Sequence, residues 1–168
     1  MLRRRLLQLL ILLLALAAIG GGWYLATASR ATPVPQPIHF NHKIHAAKKI
    51  KCSYCHKYAA SMAAAGMPRL QVCFSCHKAV KTRTPDIEKI FAFWERKEEI
   101  PWVRLYELPG FTLFSHKRHV QAGVECETCH GKMAELTEPV RLVSHTMGTC
   151  LTCHEQHNAS TDCLTCHR

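Results

Sequence analysis

Hydrophobic residues are concentrated in one long run near the start of the chain. In the apolar run of residues 6–28, Gln8 is the only strongly polar residue, and a run of this length can cross a bilayer as a single helix. Three arginines at positions 3–5 precede the run, and Trp23 and Tyr24 lie where an interfacial aromatic belt is expected. We therefore predict a transmembrane helix whose basic end stays in the cytoplasm.

A cleaved signal peptide is the alternative interpretation of this run. The tripeptide Ala26-Thr27-Ala28 resembles a small-residue cleavage site. The run is longer than the usual apolar region of a signal peptide, which favours an uncleaved signal-anchor. The rest of the chain is then expected on the periplasmic, outer face of the cytoplasmic membrane, held by a single-pass anchor.

Beyond the anchor, helical periodicity is clear in one segment. Thr84-Pro85-Asp86 is typical of a helix start with proline in the first turn. Four apolar residues then follow at helical spacing and form one stripe: Ile87, Ile90, Phe91 and Trp94. The sequence predicts an amphipathic helix here.

A five-residue phrase, Cys-x-x-Cys-His, occurs five times and contains all ten cysteines. The cysteines are Cys52 and Cys55, Cys73 and Cys76, Cys126 and Cys129, Cys150 and Cys153, and Cys163 and Cys166. The histidines that follow them are His56, His77, His130, His154 and His167. Zinc knuckles, redox dithiols and disulfides do not require a histidine after every second cysteine. The phrase is the attachment site of c-type haem, in which the histidine is the proximal iron ligand. We predict five covalently bound haem c groups.

Five haems also determine the expected fold class. Residues 30–168 are too few to build an ordinary side-chain core with the cofactors added outside it. We expect a mostly irregular, small all-α multihaem cytochrome c fold, with a haem-packed core, short helices and one N-terminal transmembrane helix. The amphipathic stripe is expected to pack on the haems of its own domain, and a docking face for a partner subunit is the alternative.

An internal repeat divides the chain. The segment from Phe40 to His45 recurs from Phe114 to His119, and in both copies a Cys-x-x-Cys-His phrase begins twelve residues after the phenylalanine. The predicted divisions are a signal-anchor (1–29), a Pro-rich spacer (30–37), a two-haem module (38–79), an insertion with the amphipathic helix (80–112) and a three-haem module (113–168). The segments 38–79 and 113–168 are called the first and second modules below.

Seven histidines lie outside the phrases and are candidates for the second axial ligands. A spacing of three residues places two imidazoles on one helical face, which makes His42, His45, His116 and His119 the predicted distal ligands. For the fifth haem the candidates are Met147, His145, His157 and His39. If every iron has two axial ligands, the chain conducts electrons and is not catalytic by itself.

The formal net charge of +10 does not indicate a nucleic-acid partner. Each haem carries two propionates, which offset the excess of lysine and arginine and pair with it. A basic composition is therefore weak support for nucleic-acid binding in this chain.

With these motifs in view, the sequence resembles the class III multihaem cytochromes, whose mark is a Phe-x-His-x-x-His segment ahead of closely spaced Cys-x-x-Cys-His phrases. In that family the first histidine ligates the haem attached next in its own module, and the second ligates a different haem. The resemblance implies that His42 serves the Cys52/Cys55 haem and that His116 serves the Cys126/Cys129 haem.

The order of the segments is similar to the membrane-anchored pentahaem cytochrome c subunit of alternative complex III, a quinol oxidoreductase. The shared features include residues 100–104, the repeat at Phe114 and Met147-Gly148 before a phrase. This resemblance implies an iron–sulfur/molybdopterin-like periplasmic subunit, polytopic quinol-binding membrane subunits and a monohaem cytochrome or other electron acceptor as partners. It also favours Met147 as an iron ligand.

Two other functions remain open from the sequence. A membrane-anchored multihaem quinol dehydrogenase shares the single helix and the haem number, but it oxidises quinol itself. A free-standing anchored electron shuttle would work without a complex.

Overall fold

The computed structural model describes residues 2–28, 34–80 and 82–167, with side chains in the first helix from residue 3 to residue 23. Part of the predicted Pro-rich spacer and the side chains of Tyr24 and Ala26-Thr27-Ala28 lie outside the described residues. The chain forms two compact units, residues 1–32 and residues 33–168.

The part of the first unit that the structure describes is one helix, α1 (Leu2–Ala28). Its span from Arg3 to Trp23 has a mean hydropathy of 2.2 and is long and apolar enough to cross a membrane, a property it shares with signal sequences. The described side chains of α1 are exposed on every side. A helix that is apolar all round is typical of membrane spans.

The second unit is built from short helices. These are α2 (His42–Ala47), α3 (Cys52–Cys55), α4 (Leu70–His77), α5 (Pro85–Arg96), α6 (His116–Gln121), α7 (Cys126–His130), a 3₁₀ turn (Met133–Glu135), α8 (Met147–Gln156) and α9 (Cys163–Cys166). Among the residues that the structure describes there is no strand, and Thr112 and His167 form an isolated bridge. The prediction of a small, mostly helical fold with irregular connections is confirmed.

Local capping explains where several helices begin. The Asn41 side chain accepts a hydrogen bond from the Ile44 N–H at the start of α2, and Thr146 forms a capping box with Thr149 at the start of α8. Helix α5 begins at Pro85, and the side chain of its N-cap Thr84 accepts a hydrogen bond from the backbone, as the sequence predicts.

The stripe of α5 packs on α4. Ile90 is buried, and the Trp94 ring stacks on Phe74 with 3.9 Å between ring centroids and 5° between ring planes. Because Phe74 lies between the two cysteines of the second phrase, α5 packs directly on the helix that carries that phrase. The stripe therefore contacts protein side chains of its own domain.

The side-chain core is small. Within the described part of the chain, the buried hydrophobic residues are Ile38, Leu70, Ile90 and Ile100, and these form one cluster in the first module and the insertion. A single cluster of this size is too small to stabilise a domain of this length by side-chain burial alone.

The two modules are joined by reciprocal hydrogen bonds. The Lys43 N–H donates to the Leu136 carbonyl (2.9 Å), and the Lys117 N–H donates to the Met62 carbonyl (3.1 Å). Lys117 lies 74 positions after Lys43, and Leu136 lies 74 positions after Met62. The contact is thus made twice with the roles of the modules exchanged, as in an isologous interface between two copies of one subunit.

Candidate functional site

Each Cys-x-x-Cys phrase lies on a short helix. The phrases occupy α3, the end of α4, α7, α8 and α9. All ten cysteines are described, and none forms a disulfide. Residues three apart share a helical face, so both thiols of a phrase are available to a single planar group lying against that face.

In the first module, Phe40 holds the two predicted distal histidines. Its ring meets His42 edge-on at 4.7 Å between centroids and stacks on His45 at 4.4 Å with 26° between ring planes. The His45 Nδ1 lies 2.8 Å from the Asn41 carbonyl oxygen. These contacts fix the rotation of both imidazoles.

The second module repeats this arrangement. The Phe114 ring meets His116 edge-on at 4.8 Å and stacks on His119 at 4.7 Å with 28° between ring planes. The His119 Nδ1 lies 2.8 Å from the Ser115 carbonyl oxygen. The internal repeat therefore extends to side-chain positions.

Three predicted distal histidines face three proximal ones at nearly equal spacing. The ring-centroid distances are 6.2 Å for His45 and His77, 6.3 Å for His116 and His130, and 6.1 Å for His119 and His154. Two metal–nitrogen bonds of roughly 2 Å, with roughly 1 Å from each nitrogen to its ring centre, give about 6 Å. The spacing fits a six-coordinate iron between each pair.

Backbone carbonyls hold one nitrogen of most of these rings. The Nδ1 atoms that lie within hydrogen-bond distance of a carbonyl oxygen are those of His45, His56, His116, His119 and His154, at 2.6–3.0 Å. A neutral imidazole that donates through Nδ1–H keeps the Nε2 lone pair for a metal. The Nδ1 atoms of His42 and His77 are buried without a hydrogen-bond partner.

Burial keeps several of these imidazoles neutral. Burial lowers the pKa of His42 to about 4, with further contributions from nearby His56 and His45. Burial, followed by the neighbouring His145, His116 and His56, lowers the pKa of His130 to about 4. The pKa of His77 is also lowered, by burial and then by His45. Because only the neutral imidazole binds a metal, these sites are suited to ligation.

Neighbouring thiols indicate which phrases lie close together. The pKa of Cys126 is raised by burial and then by the neighbouring thiol of Cys52. Cys55 has a raised pKa owing to burial, then its phrase partner Cys52, then Cys76. The first phrase therefore lies between the second phrase and the third.

The fourth phrase lies next to the third. The pKa of Cys129 is raised by burial and then by Cys153 and Cys150. The first four phrases thus follow one another in space in the order second, first, third, fourth.

The proximal histidine of the fifth phrase has different surroundings. Among the described residues, the ring in contact with His167 is that of Phe111, at 5.8 Å with 37° between ring planes. Three candidates for its sixth ligand are on the surface. Met147 is 61% exposed on the first turn of α8, and His157 is exposed at the C-cap of α8. The His39 side chain is also exposed, and its Nδ1 lies 3.6 Å from the Asp86 Oδ2.

The remaining candidate, His145, lies in a cluster around His130. Its Nε2 lies 2.7 Å from the Cys129 carbonyl oxygen, and its ring stacks on Tyr106 at 4.4 Å. The Tyr106 ring also meets His130 edge-on at 4.9 Å. Tyr106 is the residue of this site that sequence reasoning missed, because it lies in an irregular segment with no motif.

A comparison with protein families bears on the second module. Residues 112–168 match the model of a family described as cytochrome c7 and related cytochrome c. The match covers about a third of the chain. It supports a multihaem c-type cytochrome, and that class carries covalently bound haem c and transfers electrons. No curated protein matches the chain.

Proposed function

We propose that this protein is a pentahaem c-type cytochrome that relays electrons as a subunit of a membrane quinol:acceptor oxidoreductase of the alternative complex III type. The observation that carries the electron-transfer role is the set of three imidazole pairs spaced for an iron, each beside a Cys-x-x-Cys phrase. Haem c bound in these sites supplies one-electron ferric/ferrous couples.

The residues divide this work between attachment and ligation. The cysteines of the five phrases attach the porphyrins, and the five following histidines are the proximal ligands. His45 faces His77, His116 faces His130 and His119 faces His154. His42, which lies near His56, completes the first site. This arrangement leaves little room for a substrate at the iron and favours conduction over catalysis by the chain itself.

Met147 is assigned as the sixth ligand opposite His167. It is exposed and, among the residues that the structure describes, no group forms a hydrogen bond with its sulfur, whereas the His145 Nε2 lies within hydrogen-bond distance of a carbonyl oxygen. A methionine ligand raises the potential of a haem relative to two histidines. The fifth site would therefore be the high-potential end of the relay.

The order of the phrases in space supports a relay path. Electrons would pass along the sites of the second, first, third and fourth phrases, so the connection between the modules runs through His56 and His130. The partners proposed from the resemblance are an iron–sulfur/molybdopterin-like subunit, quinol-binding membrane subunits and a monohaem cytochrome or other acceptor. Helix α1 would anchor the chain with its second unit in the periplasm.

Haem stoichiometry tests the five-haem assignment. Full-length holoprotein should contain five haems per chain by pyridine haemochrome assay and mass spectrometry. Replacing Cys163 and Cys166 by alanine should leave four. A count below five in the unmodified protein would contradict the assignment.

Replacement of Met147 tests the sixth ligand of the fifth haem. Met147→His should abolish the sulfur-to-iron charge-transfer absorption of the oxidised protein and lower the highest of the five potentials. His157→Gln serves as the control and should change neither property. An unchanged spectrum in Met147→His would refute the ligand assignment.

Membership of a complex is tested separately. We expect gentle detergent extraction of native membranes followed by size-exclusion chromatography to show the haem absorbance co-eluting with a large iron–sulfur subunit and polytopic membrane proteins. Elution of the chain by itself would reject the complex. Quinol oxidation by the lone chain would then indicate a quinol dehydrogenase, and its absence would indicate a shuttle.

A further inference from the structure

Two proximal histidines that are equivalent in the repeat have different neighbours. His56 and His130 lie 74 positions apart, each at the end of the first phrase of its module. The His56 Nδ1 lies 3.0 Å from the Gly66 carbonyl oxygen, and among the described residues no aromatic ring contacts this histidine. His130 instead contacts the rings of Tyr106 and His145, which stack on each other.

Both neighbouring rings meet His130 edge-on. The centroid distances to His130 are 4.9 Å from Tyr106 and 5.8 Å from His145, with 76° and 77° between ring planes. An imidazole can rotate about its bond to Cβ, and edge-on contacts from two rings restrict that rotation. The orientation of His130 is therefore determined from outside its own helix.

The contacting rings are themselves held in place. The Tyr106 hydroxyl accepts hydrogen bonds from the N–H groups of Leu142 and Val143, at 3.2 and 3.5 Å. The Arg141 guanidinium donates twice to the Leu105 carbonyl, at 2.9 and 2.6 Å. These bonds connect residues 105–106 to residues 141–143, and so bring His145 and Tyr106 to the same side of His130.

The orientation that results is distinctive. The ring planes of His130 and His116 are parallel, with an angle of 0°, whereas the angles are 54° for His45 and His77 and 47° for His119 and His154. In a low-spin ferric haem, the angle between two axial imidazole planes determines the splitting of the iron orbitals. Parallel planes give a rhombic electron paramagnetic resonance signal, and crossed planes give a more axial one.

We propose that Tyr106 and His145 are positioning residues that hold the His130 imidazole parallel to His116 and thereby set the electronic character of the Cys126/Cys129 haem apart from that of the haems held by the His45/His77 and His119/His154 pairs. The proposal rests on the function proposed above, in which His130 and His116 are axial ligands. It gives His145 a role beside the iron ligand and reserves the sixth position of the fifth haem for Met147.

Electron paramagnetic resonance and potentiometry of the oxidised full-length holoprotein test the proposal. Tyr106→Leu and His145→Gln should each move one low-spin signal from rhombic towards axial and shift one of the five potentials, with the other four haems as internal references. Gln keeps a donor for the Cys129 carbonyl but lacks the ring. Tyr106→Phe keeps the edge-on ring and should retain the rhombic signal.

The control removes an aromatic ring near a different proximal histidine. Phe111→Leu, next to His167, should leave the rhombic signal unchanged. If Tyr106→Leu and His145→Gln both leave the rhombic signal in place, or if Tyr106→Phe moves it as far as Tyr106→Leu does, the proposal is overturned.

A separate variant tests whether His116 and His130 are iron ligands at all, independently of the positioning role of Tyr106 and His145. His116→Ala removes one member of the parallel pair and should convert this haem from low spin to high spin, so that the rhombic signal is lost whatever positions His130. If His116→Ala changes no signal, the ligand pair itself is wrong. If it removes the rhombic signal while the Tyr106 and His145 variants do not, only the positioning role fails.

Discussion

The first and second modules share one arrangement of histidines but differ in what surrounds it. In both modules, a phenylalanine contacts two histidines with nearly equal distances and angles. The second of these histidines faces the histidine of the second Cys-x-x-Cys-His phrase in its module, at 6.2 Å in the first module and 6.1 Å in the second. The residues 74 positions apart at Lys49 and Gly123 both have positive φ, 60° and 80°. The backbone turn after the histidine helix is therefore repeated as well.

The differences lie outside the repeated segment. The first module is followed by α5, which contributes Ile90 to the buried cluster. The second module is followed by a fifth phrase, and its first proximal histidine contacts Tyr106 and His145. Duplication thus supplies equivalent histidine pairs, and unrepeated segments make their surroundings unequal. For a relay this matters because equivalent sites alone would have similar potentials.

The largest expected effect comes from removing equivalent distal ligands. His45→Ala and His119→Ala should each convert one of the five proposed haems from low spin to high spin, because each leaves one proposed proximal imidazole without a facing ring. The ferric absorption spectrum and electron paramagnetic resonance of the holoprotein measure this change. A conversion in only one of the two variants would break the equivalence of the modules.

A core substitution should affect the first module alone. Ile90→Ala removes a buried side chain from the cluster with Ile38, Leu70 and Ile100 and should lower the free energy of unfolding by about 2–5 kcal/mol. Ile90→Val, the matched control, should cost about 0.5–1.5 kcal/mol. Denaturant unfolding followed by tryptophan fluorescence near Trp94 measures both. Equal costs for the two variants would argue against a packed cluster.

The N-cap residues of α2 and α6 occupy equivalent positions in the repeat but differ in their hydrogen bonding. Asn41 caps α2 through its side chain, whereas Ser115, 74 positions later, makes no side-chain cap bond. Asn41→Ala should therefore lower the free energy of unfolding by about 1 kcal/mol. Ser115→Ala should cost clearly less in the same denaturant titration. Equal losses would show that the two helices are capped alike in solution.

The smallest expected effect depends on pH and concerns Asp86 in α5. Burial raises the pKa of this carboxyl, but hydrogen bonds from Lys89 and His39 outweigh burial and hold the pKa below its ordinary value. A lowered folded pKa stabilises the protein above the unfolded pKa, and this contribution is lost as pH falls through the folded value.

Asp86→Asn should therefore cost less than about 1 kcal/mol at pH 7, because the ion pair is solvent-screened. The difference from the unmodified protein should disappear in acid. Thermal unfolding of both proteins at several pH values measures this. A difference in stability between the two proteins that grows as pH falls would contradict the prediction.

The sequence alone determined the features that depend on residue type at short spacing. The Cys-x-x-Cys-His phrases, the Phe-x-His-x-x-His segments, the apolar run of α1 and the start of α5 at Thr84 are all local patterns, and each needs only a helix or a covalent geometry to be understood. The sequence left open which residue is the sixth ligand of the fifth haem, because the candidates Met147, His145, His157 and His39 can be told apart only by contacts between distant segments.

Tertiary structure decided which distant residues meet. The contact of Tyr106 with His130 and His145 joins three segments, and the hydrogen bonds of Lys43 and Lys117 join two modules. Such contacts depend on how chain segments return to one another, and no residue pattern at fixed spacing encodes this. The repeat could be predicted from sequence, but the reciprocal way in which its copies pack could be seen only in the folded chain.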